Sequence, residues 1–123
     1  MDTSEIKSVI QNYFNACFES SGERFREVFH DAAHIYSGGE GGALNDRDRE
    51  AFISYVEARK SSGPTPDFPR QEEILSIDFV DENTAVARVK VRVGGMLFTD
   101  ILSFIRFDGK WMIISKVYSG VPV

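Results

Sequence analysis

The sequence is poor in the usual zinc-ligand and thiol residues: 123 residues include one cysteine, Cys17, and two histidines, His30 and His34. A lone cysteine closes no internal disulfide. Two histidines four apart, with no third His or Cys at ligand spacing, make no zinc site. No metal and no cofactor is therefore expected. No apolar run approaches the roughly 20 residues of a membrane-spanning helix, and Met1-Asp2-Thr3-Ser4-Glu5 lacks the basic-then-apolar pattern of a secretory signal, so the expectation is a cytoplasmic protein with no membrane partner. Basic residues are in the minority, 14 Lys and Arg against 19 Asp and Glu, for a formal net charge of −5. Clustered Lys and Arg are what neutralise phosphates, so no nucleic-acid partner is expected either. Gly38-Gly39-Glu40-Gly41-Gly42 lacks the Lys-Ser/Thr ending of a phosphate loop, which argues against nucleotide binding by that route. What is present is 42% hydrophobic residues, enough for one domain spanning residues 1–123.

The first third has helical periodicity. Ile6, Val9, Ile10, Tyr13 and Cys17, with Phe14 and Phe18, recur at steps of three and four and lay an apolar stripe along one helix. Thr3 or Ser4 can cap its start, and it stops near Ser20-Ser21-Gly22. A short second helix buries Phe25, Val28 and Phe29, with His30 read as a cap favoured by the helix dipole. His34-Ile35-Tyr36-Ser37 is expected as a short strand, and the glycine run after it as a surface loop or a lid. Asp46 or Asp48 can cap a third helix carrying Phe52, Tyr55 and Val56, which Gly63 to Pro69 should end. Four β-rich runs follow, Glu73 to Val80, Thr84 to Val93, Met96 to Phe107 and Lys110 to Tyr118. Gly94-Gly95 and Asp108-Gly109 between them are two-residue hairpin turns. The layout is α+β, one antiparallel sheet with helices on one face.

Those turns fix the register. Val93 should sit opposite Met96 and Phe107 opposite Lys110, and every other pair follows because side chains alternate with a period of two. One face then carries Ala85, Ala87, Val89, Val91, Phe98, Asp100, Leu102, Phe104, Arg106, Trp111, Ile113, Ser115 and Val117. The other carries Arg88, Lys90, Arg92, Leu97, Thr99, Ile101, Ser103, Ile105, Met112, Ile114, Lys116 and Tyr118. The first is the more apolar and is assigned to the interior. Asp100 is its one acid, and a carboxylate among apolar neighbours must be paired, line a wet cavity or change its pKa. Leu97, Ile101, Ile105, Met112 and Ile114 leave an apolar strip on the outer face, which predicts a homodimer through that face.

The order of elements, with Val28-Phe29-His30-Asp31-Ala32-Ala33 after the second helix and Phe107-Asp108-Gly109-Lys110-Trp111-Met112-Ile113 closing the meander, resembles the nuclear transport factor 2-like superfamily. That superfamily also holds ketosteroid isomerase and small polyketide cyclases. Within it, Glu73-Ile74-Leu75-Ser76-Ile77, Thr84-Ala85-Val86-Ala87-Arg88-Val89, Phe98-Thr99-Asp100-Ile101-Leu102-Ser103 and Gly109-Lys110-Trp111-Met112-Ile113-Ile114-Ser115-Lys116-Val117-Tyr118 resemble the group called putative lumazine-binding proteins. The resemblance implies a cone-shaped half-barrel of cystatin-like topology, three N-terminal helices packed on a strongly curved, mostly antiparallel sheet. A blind apolar pocket would lie between the layers, often in a dimer. By the same resemblance, Tyr13 matches the helix tyrosine with which ketosteroid isomerase polarises its substrate carbonyl. The isomerase's proton-moving aspartate falls on Ser37, which cannot act as that base. Its late-strand aspartate falls on Ser103 by counting from the turn, or on Asp100 by face.

Asp100 is the leading candidate for an acid, a base or a ligand-orienting group, against a structural ion pair with Arg106, Arg88 or a helix residue. Tyr13 is a hydrogen-bond donor toward a developing oxyanion or a core phenol. His34 is a candidate for proton transfer because of its residue type, unless it is only packed. Tyr36, Phe52, Tyr55 and Trp111, with Tyr13 and Asp100, are the expected ligand-binding residues, though aromatic residues at helix spacing are also ordinary core. Fifteen aromatics in all, 10 Phe, 4 Tyr and 1 Trp, favour a small apolar or aromatic ligand. The alternatives are an isomerase, dehydratase or cyclase using Asp100 or His34 as the acid-base group with Tyr13 as donor, and a non-catalytic dimerisation module.

Overall fold

The structure, a computed structural model, describes residues 1–61 and 68–123. Helix α1 (Ser4–Glu19) buries Ile6, Ile10, Tyr13, Phe14, Ala16 and Cys17, the stripe read from the spacing. Its start is held by a residue the sequence reading passed over. The Asp2 carboxylate accepts from the Ser4 amide at 2.9 Å, where negative charge favours the helix dipole. Ser20, at φ 51°, closes α1 in the left-handed region, and Ser21 Oγ accepts from the Arg24 amide at 3.2 Å to cap α2 (Gly22–Val28). A β-carbon on Gly22 would lie 2.7 Å from Ile53 Cγ2, so only glycine lets α2 start this close to the third helix. That helix, α3 (Arg49–Ser61), is capped by Asp48, whose carboxylate accepts from the Ala51 amide at 2.8 Å. The stop expected at Gly63 to Asp67 lies outside the described residues.

Six strands form one curved, unclosed sheet in the order β2-β1-β6-β5-β4-β3. They are β1 (Phe29–Gly38), β2 (Leu44–Asp48), β3 (Glu72–Asp81), β4 (Thr84–Val93), β5 (Met96–Phe107) and β6 (Lys110–Pro122). All neighbours are antiparallel except β1 and β6. With the three helices this is the α+β half-barrel of cystatin-like topology. Both expected hairpins form, with Val93 opposite Met96 and Phe107 opposite Lys110. Asp108 and Gly109 take positive φ, 47° and 79°, as a tight two-residue turn demands.

Three expectations are corrected. Helix α2 ends at Val28, so His30 is not a helix cap. It lies in β1, stacked on Phe107 with ring centroids 4.4 Å apart, and its Nδ1 accepts from the Ala32 amide. Next, β2 is a strand where none was expected, and the glycine run is the link of the β1–β2 hairpin, closed by the Gly39 amide donating to the Ala43 carbonyl. The third correction matters most. Along β6 the pairing with β5 steps from Phe104↔Ile113 to Ser103↔Ser115, so Ile114 is an extra residue and the strand bulges. An extra residue exchanges the faces of everything beyond it. Lys116 and Tyr118 therefore point inward, and Ser115 and Val117 outward, the reverse of the unbulged count. The remaining inner-face assignments hold: Ala85, Ala87, Val89, Val91, Leu102, Phe104, Trp111 and Ile113 are all buried.

Candidate functional site

The bulge brings three polar side chains together in an apolar interior. Tyr13 arrives from α1 because its position belongs to the buried stripe, three residues after Ile10 and four before Cys17. Asp100 arrives from the middle of β5, between the inward Phe98 and Leu102. Lys116 arrives from β6 directly opposite Leu102, and Tyr118 opposite Asp100. Tyr13 and Asp100 are fully buried, and Lys116 is 6% exposed.

The Tyr13 hydroxyl donates to Asp100 Oδ2 at 2.5 Å, and Lys116 Nζ stands 3.8 Å from the same oxygen. Asp100 Oδ1 is buried with no hydrogen-bond partner. The carboxylate is therefore paired on one side only. Burial pushes the Tyr13 phenol well above its ordinary pKa, and the facing Asp100 charge adds to the shift, so the hydroxyl stays a donor. Lys116 Nζ sits over three rings, 5.2 Å from the Tyr13 centroid, 4.8 Å from Phe52 and 4.9 Å from Tyr118. Ring faces attract a cation, and more so out of water.

Beside this triad lies a cavity of about 290 Å³, near the lower end of the volumes that hold small ligands. Asp100, Lys116 and Arg59 supply its charged wall, while Phe25, Phe52, Phe98, Val91 and Tyr118 supply most of the apolar one. Cys17 also lines it, and burial pushes its thiol up to about 11. Tyr55 lines the cavity too and is 48% exposed, with the Arg47 guanidinium 4.3 Å from its ring centroid. Such a wall can hold a planar apolar body by burial and fix its polar edge through the Asp100 acceptor and the Lys116 and Arg59 cations.

Of the residues singled out from sequence, Tyr13 and Asp100 meet, and Phe52, Tyr55 and Asp100 line the cavity. His34 and Tyr36 do not join them. On β1 it is Ala33 and Ile35 that are buried, which puts His34 and Tyr36 on the opposite face. There His34 Nδ1 meets Asp46 at 2.7 Å, both nearly half exposed, and the His34 ring stacks on Tyr36. Ser37 is inward and its Oγ accepts from Asn45 Nδ2. Trp111 is buried away from the cavity wall, its ring edge-on to Phe79 at 5.9 Å. The sequence reading missed Lys116 and Tyr118. The available signal was the doublet Ile113-Ile114, two bulky apolar residues that break the alternation.

A family profile described as "Putative lumazine-binding" matches residues 1–119. Among curated proteins the chain is similar to Aldolase FrzH from Cladobotryum sp, 26% identical over 129 residues, covering 98% of this chain and 94% of that protein. Among solved structures it is similar to a nuclear transport factor 2-like protein of unknown function from Silicibacter pomeroyi, with TM-score 0.82 and 26% identity, covering 98% of this chain and all of the other. A ketosteroid isomerase-like protein from Erwinia carotovora atroseptica superposes with TM-score 0.75 over 98% of this chain and 96% of its own. At 11% identity that likeness concerns the fold alone.

Proposed function

The chain belongs to the putative lumazine-binding family of the nuclear transport factor 2-like superfamily, and from that premise we propose that it binds a small planar ligand of one or two rings in the cavity between α1, α3 and the sheet. The observation that carries this reading is the unpartnered, buried Oδ1 of Asp100, a residue that lines a mainly apolar cavity together with the cations Lys116 and Arg59. A buried acceptor without a donor costs about 1–3 kcal/mol, which a ligand N–H or O–H would recover. The ligand of best fit has that donor next to a carbonyl, so that its donor meets Oδ1 and its carbonyl meets Lys116 Nζ. A pteridinedione edge has this pattern.

The test is a fluorescence titration with lumazine and with 2-naphthol, which keeps the donor and the two rings. Saturable binding is expected, weakened roughly tenfold to a hundredfold in Asp100→Asn, the equivalent of losing a hydrogen bond to a charged group. Failure of both probes to saturate below about 1 mM, or binding indifferent to Asp100→Asn, would remove the reading.

A second reading is acid-base chemistry on a carbonyl compound, of the isomerase, dehydratase or cyclase kind. It is favoured by the Tyr13–Asp100 hydrogen bond inside the cavity wall and by the likeness to a protein named an aldolase. In that reading Asp100 moves the proton, and Tyr13 acts through it.

The assembly proposed is a homodimer through the outer sheet face. Ile101 and Val117 stand directly opposite each other there, 43% and 46% exposed, with Leu97, Ile105 and Met112 half-buried around them. The bulge removes a charge from this strip, since it turns Val117 outward in place of Lys116. An apolar patch near the centre of one face is self-complementary under a two-fold axis.

A further inference from the structure

Lys116 is not placed as a structural lysine would be. It is buried, it stands over three aromatic rings, and among the described residues its Nζ makes no hydrogen bond; its carboxylate neighbour, Asp100 Oδ2, is 3.8 Å away. A lysine kept only for its charge gains by direct hydrogen bonds, and a buried pair without them is a poor source of stability. An amine desolvated among apolar groups beside a proton acceptor is instead the arrangement that makes lysine a nucleophile toward carbonyl compounds.

We propose that Lys116 forms an imine with an aldehyde or ketone held in the cavity, with Asp100 carrying the protons. This rests on the reading that the cavity binds a small apolar ligand. The ammonium passes one proton to the Asp100 carboxylate, and the freed nitrogen lone pair bonds to the carbonyl carbon while the C=O π pair moves to oxygen. That oxygen takes the proton back from Asp100, and the nitrogen gives its second proton to Asp100. Protonation of the hydroxyl by Asp100 then releases water as the nitrogen lone pair closes the C=N bond. The sum is ammonium plus carbonyl giving iminium plus water, with no net proton and no oxidant or reductant. The iminium keeps the positive charge in the place of the ammonium, facing Asp100 and the ring faces of Tyr13, Phe52 and Tyr118. The protons pass through Oδ2, the oxygen that faces the amine at 3.8 Å and that also accepts from Tyr13.

The experiment uses 2-naphthaldehyde as the carbonyl probe with sodium cyanoborohydride to reduce any imine, and peptide mapping by mass spectrometry. 2-Naphthylmethanol, which has the same rings and no carbonyl, is titrated in parallel by fluorescence. The expected result is a reduced adduct on Lys116 formed at least an order of magnitude faster than on Lys7, Lys60, Lys90 or Lys110. The alcohol should suppress it, and Asp100→Asn should slow it. Lys116→Arg, which keeps the cation, should abolish it. If the alcohol binds saturably while Lys116 is labelled no faster than the surface lysines, the imine inference falls and the pocket stands. If the alcohol does not bind, and labelling of Lys116 is neither fast nor suppressible, the pocket reading falls with it.

Discussion

Replacing Asp100 by leucine should cost the protein more stability than any comparable change on the sheet, and further substitutions should give that stability back. The side chain is fully buried, so solvent does not screen its interactions. Its removal leaves the Lys116 ammonium with no anion and the Tyr13 hydroxyl with no acceptor. Breaking a buried ion pair by deleting one partner costs about 3–5 kcal/mol. At about 4 °C per kcal/mol for a chain of this size, the melting temperature should fall by roughly 12–20 °C. The larger leucine has room in the adjoining cavity, so overpacking contributes little. Adding Lys116→Met removes the orphaned cation, and Tyr13→Phe removes the orphaned hydroxyl while keeping its ring against Phe25 and Phe29. The triple variant should match or exceed the wild type, because apolar replacement of a whole buried ionic cluster is neutral or stabilising by about 1–4 kcal/mol. Urea denaturation of the four proteins at neutral pH measures the series. An Asp100→Leu cost below about 1 kcal/mol, or a triple variant no more stable than Asp100→Leu alone, would refute the claim that the three groups form one coupled unit kept at the expense of stability.

The Cys17 thiol, pushed by burial from 9.0 to about 11, adds a pH dependence of definite sign. A raised pKa in the folded state means that its contribution is whole below pH 9 and is lost as pH climbs through about 11, on the order of 2–3 kcal/mol in all. Denaturation midpoints between pH 8 and 11 should therefore fall more steeply for the wild type than for Cys17→Ala, and parallel curves would contradict the burial of the thiol. On the outer face, Ile101→Lys with Val117→Lys should convert a dimer sedimenting at micromolar concentration to monomer with little change in melting temperature. A wild type that is monomeric under those conditions, or a double variant that stays dimeric, would remove the dimer proposal.

How much was legible in the sequence depends on the kind of signal each element carries. Tyr13 could be placed on the buried side of α1 because Ile6, Ile10 and Cys17 share its stripe, and helical periodicity tolerates no ambiguity over that length. Asp100 could be placed inward because two-residue turns pin the register of β4 and β5 without a break. Those two local facts put both side chains in the interior, and that they meet there, 87 residues apart in sequence, is the structure's addition. Strand β2 was not legible, since Leu44-Asn45-Asp46-Arg47-Asp48 has the composition of a loop. Edge strands carry charge for a reason unrelated to propensity, namely to discourage pairing with other chains. Nor was β1. Between Phe29↔Ile113 and His34↔Ser115 it runs five residues while β6 runs two, an irregularity with no period to detect, and it carried His30 out of the expected helix.

The bulge at Ile114 explains both the strongest and the weakest part of the sequence reading. Counting by twos along β6 is correct up to Ile113 and inverted afterwards, so a single residue decides whether Lys116 faces solvent or Asp100. Local preferences are divided over the inverted register: Tyr118 turned inward and Ser115 turned outward favour it, whereas Lys116 turned inward and Val117 turned outward oppose it. The register is set from both sides by β1 and β5, whose pairings with β6 are irregular at the same place. The inward lysine is the part of this register that local preference opposes and tertiary pairing imposes, and such conflicts are expected at functional or strained sites. It supplies a buried amine beside a half-satisfied carboxylate, the two groups that a mainly apolar cavity would need to hold and act on a carbonyl compound.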